Sequence, residues 1–390
     1  MDLSVVAVIL FALSMAAICY VYAGYPILVY LLAAIRPKET VRAPIEPAVT
    51  LVITAFNEEK DIRRKIENTL ALDYPAGKLE VIVASDCSND ATDTIVAEFA
   101  EKGVRLVRQN YRGGKTAAQN LAVENANGEI VHFSDATSIY EPDVIRKLIA
   151  NFADPSVGCV AGKLIYVDPK KTSVGSGARS YWSYETTLKS SESLACSLIG
   201  VSGCIYSVRK SNYRPMYPEA CSDFLIATEI YRQGLRTVYE PSAVCIEETN
   251  QRSDKEMRMR VRVISQTFTD LWRNLDMLNP LKSGFFAIQL ISHKLLRYSV
   301  PIFLLTALGS SGYLAFGSKI FLAIFLAQIV FYLSAAAGWL IERAGFSAGP
   351  LAIPFYFVLA CIASVGGFVQ FLRGERYAAW EPIRETGQRA

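Results

Sequence analysis

AVTLVITAFNEEKDIRRKIENTL, residues 48–70, is the stretch on which the fold turns. Residues 48–54 form a short apolar run rich in β-branched side chains, and such a run reads as a strand. Asn57, a residue type that caps helices, follows, and then Ile62, Ile66 and Leu70 recur on one helical face. The same unit returns downstream. LEVIVAS (79–85) leads into DCSNDATDTIVAEFAEKG, VRLVRQ (104–109) into NYRGGKTAAQNLAVENA, and EIVHFSD (129–135) into a helix beginning near Glu141 and Pro142. Strand, loop and helix in succession predict an α/β domain over 45–280 with a parallel-type sheet. Ligands of such sheets gather at the carboxyl ends of the strands.

On either side of that domain the composition changes. The chain has 390 residues, 52% of them hydrophobic and 20% charged, with a mean hydropathy of +0.24. These values imply membrane spans joined to a water-soluble part. Residues 3–35 carry no charge and no small-residue cleavage site, so 1–36 reads as an anchor; Arg36, Lys38 and Arg42 then place the α/β domain in the cytosol. Three further apolar stretches, 299–317, 319–341 and 350–372, make 299–372 a membrane region and bring the expected crossings to four. Residues 281–298 mix apolar and basic residues at helical spacing, as in a helix lying in the interface, with His293 structural. Four crossings put the tail 373–390 outside, whereas its arginines favour the inside. Gly349, Pro350, Pro354, Gly366 and Gly367 make the last span the one suspected of turning back.

Composition also excludes chemistry. Forty Lys and Arg against 37 Asp and Glu leave +3, too balanced to point to nucleic acid. Two histidines, His132 and His293, argue against a His-based zinc cluster and a Ser-His-Asp triad, so acid-base work falls to carboxylates. Eight cysteines without a C-x-x-C pair, two of them in apolar spans, argue for a reduced, cytosol-facing domain. RGGKT (112–116) is not a phosphate loop, because Gln109 stands where its first glycine belongs. Arg112 and Lys115 beside a glycine pair at a helix start can still cradle a diphosphate, although a solvated loop reads the same way.

Seven segments in order carry a resemblance: TAFNEE (54–59), VASDCSNDAT (83–92), RGGKTAAQN (112–120), FSDAT (133–137), GVSGCIYSVRK (200–210), SDFLIATEIYRQGLRTVYEPSA (222–243) and KEMRMRVRV (255–263). Together they resemble the family 2 glycosyltransferases, in particular the membrane-embedded branch similar to cellulose and hyaluronan synthases. The resemblance implies a GT-A-like nucleotide-sugar-binding domain, a mixed sheet with flanking helices, plus transmembrane helices. It implies an inverting hexosyltransferase using a UDP-sugar donor, Mg2+ or Mn2+, and a polysaccharide or lipid-linked acceptor. The setting it implies is the plasma (inner) membrane, multi-pass, with the catalytic domain cytosolic and a synthase or export complex as a partner.

Residue by residue, the resemblance implies that Asp86 holds the uracil or ribose with help from Thr54 and Glu58, with Lys115 beside the diphosphate. Asp135 matches the first acid of the family's D-x-D and would bind the metal, while its third position is Thr137 rather than an acid. Asp223 falls where the family carries its general base, preceded by Ser222 instead of the usual Glu. Ser202 and Gly203 would line the acceptor site, and Arg258, Arg260 and Arg262 would grip the diphosphate. No Trp follows those arginines and Trp272 is distant, so a single addition to a lipid-linked oligosaccharide rivals chain extension. A non-catalytic scaffold subunit is the rival outside enzymes. Structural readings stand beside these: Asn57, Asp86 and Asp90 as caps, a tight turn at Gly203, and arginines facing lipid headgroups.

Overall fold

The computed structural model describes residues 2–167, 173–248 and 253–378. The apolar runs form β1 (Val49–Ala55), β2 (Leu79–Ser85), β3 (Val104–Arg108) and β4 (Ile130–Asp135). These strands are parallel, with β1 between β2 and β4 and β3 beyond β2. All seven residues of β1 are buried, because alternate side chains feed two cores. Leu51, Ile53, Val81 and Val83 pack against Ile62 and Ile66 on one face. Val52, Ile82 and Phe133 pack against Ala118 and Ala122 on the other. Burying Ile62 and Ile66 contributes roughly 1.5–3 kcal/mol each. Asn57 does not cap the following helix, which runs Ile62–Leu70 with Asp61 before it. Instead Asn57 takes φ 54° in the turn and accepts the Asn89 N–H at 2.9 Å.

The remaining strands are β5 (Ile139–Tyr140), β6 (Val157–Val167), β7 (Tyr206–Arg209) and β8 (Arg236–Glu248). β7 runs antiparallel to β4 and β6, β8 is parallel to β6, and β5 is antiparallel to β8. The sheet order is therefore β3-β2-β1-β4-β7-β6-β8-β5, a mixed sheet rather than a parallel one. The reversal at β7 opens the crevice that ligands of such sheets use.

Among the described residues, three helices are long and apolar enough to cross a membrane: Leu3–Ile35, Lys319–Arg343 and Gly349–Leu372. The expected crossing at 299–317 is not among them; it is the helix Arg297–Leu314, carrying Pro301, and it packs along Leu3–Cys19. The last of the three stays beside the domain along its length. Tyr356, near its start, donates to Glu256 at 3.0 Å, and Phe368 and Phe371, near its end, meet Phe268. Glu256 and Phe268 both belong to the helix Ser253–Arg273. The tail beyond it reaches the domain as well, for the Tyr377 carbonyl accepts the Gln266 amide at 2.7 Å. Residues 281–298 do not lie as a surface helix either. Phe286, Ala287, Leu290 and His293 are buried, and the segment passes through a π-helical turn, Ile291–Leu296, into Arg297–Leu314.

Candidate active site

The register of β1 on β4 sets Thr54 beside Asp135 at the carboxyl edge of the sheet. Thr54 Oγ1 donates to Asp135 Oδ1 at 3.1 Å, and Ser138 Oγ donates to the Asp135 carbonyl at 2.7 Å as the chain turns away. Lys115 opens the helix Lys115–Asn125 after Gly114, whose φ of 92° a side chain would strain. Its ammonium forms an ion pair with Asp135 and donates to the Gly203 carbonyl at 3.4 Å. From the far side comes Asp223, in the first turn of the helix Ser222–Arg232. Its backbone carbonyl accepts the Val201 N–H at 2.7 Å and its Oδ1 accepts the Cys221 thiol at 2.9 Å. A methyl group on Gly203 would stand 3.2 Å from Lys115 Nζ and 3.3 Å from Asp223 Oδ2. Asp135, Lys115 and Asp223 therefore converge around one glycine. Burial opposes the Lys115 charge, but Asp135 and then Asp223 overcome it and hold the ammonium above its ordinary range.

Asp86 is bound into the loop that precedes Lys115. It is fully buried and accepts Gln109 Nε2 at 2.7 Å, the Gly113 N–H at 2.8 Å and the Gly114 N–H at 3.0 Å. Burial pushes its carboxyl up, and the Gly114 and Gly113 N–H groups offset part of that. Its structural work is to pin the loop that delivers Lys115, with Gln109 as its partner. Arg112 lies over the Phe56 ring at 3.9 Å. Asp90 accepts the Glu59 N–H at 3.1 Å and the Thr92 N–H at 2.9 Å, a turn role. Glu58 is buried at the edge of the site, its N–H donating to Thr92 Oγ1 at 2.7 Å.

The three arginines separate. Arg258 is exposed and pairs with Asp254 at 2.9 Å, away from the other site residues. Arg260 pairs with Glu256 at 2.8 Å and donates to the Tyr356 hydroxyl. Arg262 reaches the site, where burial depresses its pKa and Cys221 and Asp223 partly offset the effect. Trp272 sits 6.3 Å from Phe371. Trp380, Glu381 and Arg384 lie outside the described residues.

A second constellation escaped the sequence reading. His293 lies between two carboxylates and donates to both, from Nε2 to Glu185 at 2.9 Å and from Nδ1 to Glu192 at 2.7 Å. Arg297 pairs with Glu185 at 3.0 Å, and Tyr25 of the first apolar helix donates to Glu192. Lys189 Nζ donates to Ser202 Oγ at 3.2 Å. Burial works against the His293 cation, but Glu192 and Glu185 prevail and raise its pKa. Burial likewise opposes the Glu185 anion, and His293 and Arg297 hold it well below the carboxylate range. The signal was the spacing of Glu185, Lys189 and Glu192, one helical stripe of charge in a helix of small and polar residues. His132, by contrast, bridges Ser207 at 3.0 Å and the Tyr140 hydroxyl at 2.9 Å, and burial lowers its pKa to about 3, so it is neutral.

A cavity of about 820 Å³ runs through these groups, from Thr54, Lys115 and Asp135 past Ser202 and Asp223 to His293 and Tyr298. Thr137, exposed, opens on it, as does Glu247. Glu247 Oε1 is buried without a hydrogen-bond partner, and burial and then Asp135 push its carboxyl up to about 7. Register places it near Thr137, since Ile246 pairs with Ile139. Asp135, Thr137 and Glu247 offer oxygen donors of the hard kind that Mg2+ or Mn2+ takes, so the residues present fit such an ion. Cys204, Cys245 and Glu247 also bring ligand atoms within 4.8 Å of one another.

Residues 50–214 match the model of the glycosyl transferase family 2. Over 129 residues the chain is 30% identical to an N-acetylglucosaminyltransferase of Bradyrhizobium elkanii, covering 32% of this chain and 71% of that protein. Over 132 residues it is 34% identical to the probable glycosyltransferase YdaM of Bacillus subtilis, covering 32% of this chain and 31% of that one. The chain spans between a quarter and a third of the length of several such curated relatives. Its architecture superposes on a mannosyltransferase of Pyrobaculum calidifontis solved with GDP-Man and Mn2+. The TM-score is 0.72 at 23% identity, over 94% of this chain and 100% of the other. The mixed sheet with flanking helices is thus the GT-A-like fold.

Proposed function

The chain belongs to the family 2 glycosyltransferases, and on that premise we propose that it is a membrane-embedded, inverting hexosyltransferase. It moves a sugar from a UDP-type donor to a polysaccharide or lipid-linked acceptor. The observation that carries the reading is the meeting of Asp135, Lys115 and Asp223 around Gly203. A cation and a carboxylate at the strand end suit a sugar diphosphate, and a second carboxylate across the gap suits the acceptor. The acceptor hydroxyl attacks the anomeric carbon from the side opposite the diphosphate. The new C–O bond forms as the bond to the diphosphate breaks, with its electron pair leaving on UDP and the hydroxyl proton passing to Asp223. Lys115 and Arg262 stabilise charge on the departing diphosphate, and Thr54 and Glu58 line the donor end. Asp135, with Thr137 and Glu247, would hold Mg2+ or Mn2+, which supplies further charge neutralisation at the diphosphate. Asp86 acts on the donor through the loop it pins. Ser202 and Gly203 border the acceptor.

A single addition to a lipid-linked oligosaccharide stands beside chain extension as the alternative within enzymes. For the membrane setting we propose the inner membrane with the domain cytosolic. Arg36, Lys38 and Arg42 flank the domain on one side, and Arg373 and Arg376 follow the last apolar helix on the same side. The similarity to cellulose and hyaluronan synthases, and membership of a synthase or export complex, remain part of this proposal. The test is UDP release by the full chain in lipid nanodiscs, over a panel of UDP-sugars with Mn2+ or Mg2+. One sugar turned over, and silent in Asp223→Asn, is the expected result. UDP binding without release from any sugar, or release undiminished in Asp223→Asn, contradicts the proposed reaction.

A further inference from the structure

Two buried thiols lie beneath the site and take no part in the proposed transfer. Cys204 follows Gly203, and Cys245 precedes Glu247 by two residues on β8. Residues two apart on a strand share a face, so Cys245 and Glu247 point the same way. Tyr140 stands opposite Cys245 in the β5–β8 ladder, and its hydroxyl donates to the Cys204 carbonyl, which ties the loop to the strand. Cys245 Sγ thereby lies 3.8 Å from Cys204 Sγ, and the two sulfurs and a Glu247 oxygen are within 4.8 Å of one another.

That spacing has a chemical meaning. Two sulfurs bound at about 2.3 Å to one tetrahedral ion stand about 3.8 Å apart, so an ion fits between these thiols where they are. A disulfide would instead need them to close to about 2.05 Å. Thiolates are ligands for soft ions such as Zn2+ rather than for Mg2+ or Mn2+.

Two buried polar atoms without hydrogen-bond partners flank the pair, Glu247 Oε1 and Lys65 Nζ. Lys65 is fully buried, lies 3.6 Å over the Tyr140 ring and is coupled electrostatically to Cys245, Cys204 and Glu247. A divalent ion on two thiolates and a carboxylate leaves a net negative charge, and a buried charge is costly unless paired. Lys65 supplies the opposite charge. Cys204 and Glu247 line the cavity, which gives the ion its way in.

The geometry points to a second cation site, formed by Cys204, Cys245 and Glu247 and balanced by Lys65, for a thiophilic divalent ion of the Zn2+ class. Each thiol gives its proton to solvent as its sulfur binds the ion, and no oxidant or reductant is involved. Resting on the transferase reading, such an ion opposes Mg2+ or Mn2+, because a Glu247 bound to it is lost to Asp135 and Thr137.

The test uses the full chain in zwitterionic nanodiscs, without sugar donor, and the probes are Cd2+ and Zn2+. Cd2+ should bind with the ultraviolet absorbance of a thiolate–cadmium bond. Cys204→Ser and Cys245→Ser should each remove most of that absorbance and weaken binding at least about a hundredfold, and Lys65→Met should weaken it about tenfold. Cys361→Ser, in the last apolar helix, should change neither. X-ray absorption of the wild-type Zn2+ complex should show two sulfurs at about 2.3 Å, a readout that stands even where a cysteine variant fails to fold. No Cd2+ binding, binding unaltered in both cysteine variants, or a Zn2+ shell of oxygen and nitrogen alone overturns the proposal. No donor enters these measurements, so their failure strikes this site alone, whereas absence of UDP release strikes the transferase reading.

Discussion

Asp135, through its ion pair with Lys115, and Asp223 meet beside Gly203, yet the molecule holds them by unlike means. Asp135 ends a strand whose register on β1 is continuous over six residue pairs, from Val49 on Ile130 to Thr54 on Asp135. Asp223 rides on a helix start after an irregular loop, positioned by the Val201 N–H and the Cys221 thiol. A strand end buried in a sheet is difficult to move, whereas a loop-and-cap arrangement shifts with its neighbours. The proposed donor end is thus set by the sheet and the proposed acceptor end by helices. On the proposed reading, the sheet would fix where the sugar donor sits and leave acceptor choice to the helices around it.

Four substitutions separate the two ends. Asp223→Asn should lower transfer by about a thousandfold with donor affinity retained, as expected for loss of a base; donor titration beside turnover checks it. His293→Gln comes next, leaving Glu185 and Glu192 short of a partner and destabilising the protein by about 3 kcal/mol, read from thermal unfolding in nanodiscs. The same residue gives a pH signature. Its folded pKa is raised, so its stabilisation is complete below the unfolded value near 6.5 and is lost as pH rises through the folded pKa. Glu185 is depressed, so its contribution is present above the unfolded value near 4.3 and is lost as pH falls through the folded one. His293→Gln should flatten the alkaline limb of the unfolding profile.

Asp135→Asn should weaken Mn2+-dependent donor binding by roughly 10–100-fold, and chelation of the metal should bring wild type to the same level. A variant that keeps wild-type binding would separate Asp135 from the donor. The smallest effect is expected of Gly203→Ala. Its methyl group meets Lys115 Nζ at 3.2 Å, the far end of a flexible chain that yields, so turnover should drop about threefold at a cost of about 0.6 kcal/mol. A drop comparable to that of Asp223→Asn would mean that the acceptor end is as rigid as the donor end.

β1 to β4 were legible because each strand is a compact apolar run followed by a helix of clear period. β2 coincides with LEVIVAS to the residue. β6 and β8 were not, since their burial fades from continuous to mixed as they leave the core, and β8 contains Pro241 with a register shift opposite it. That half makes the sheet mixed. At the site, side chains set by strand ends, Thr54 and Asp135, emerged from the motif order. What motif order did not disclose is that Gln109, standing where a phosphate loop has its first glycine, folds back onto Asp86. His293 lies 101 residues along the chain from Glu192 and farther still from Glu185, a pairing across two helices that periodicity cannot disclose.

Gly367 is a point of close approach between the last apolar helix and the helix Ser253–Arg273. A methyl group there would stand 2.7 Å from Ile264 Cγ2 and 2.9 Å from the Val261 carbonyl, so the last apolar helix and Ser253–Arg273 mesh backbone to backbone at this point. Arg262 lies between those two contact residues in sequence. Bilayer thickness would thereby become a mechanical input: a membrane that tilts the outer helix would turn the inner one with it, and with it Arg262, the arginine proposed to sit beside the leaving diphosphate.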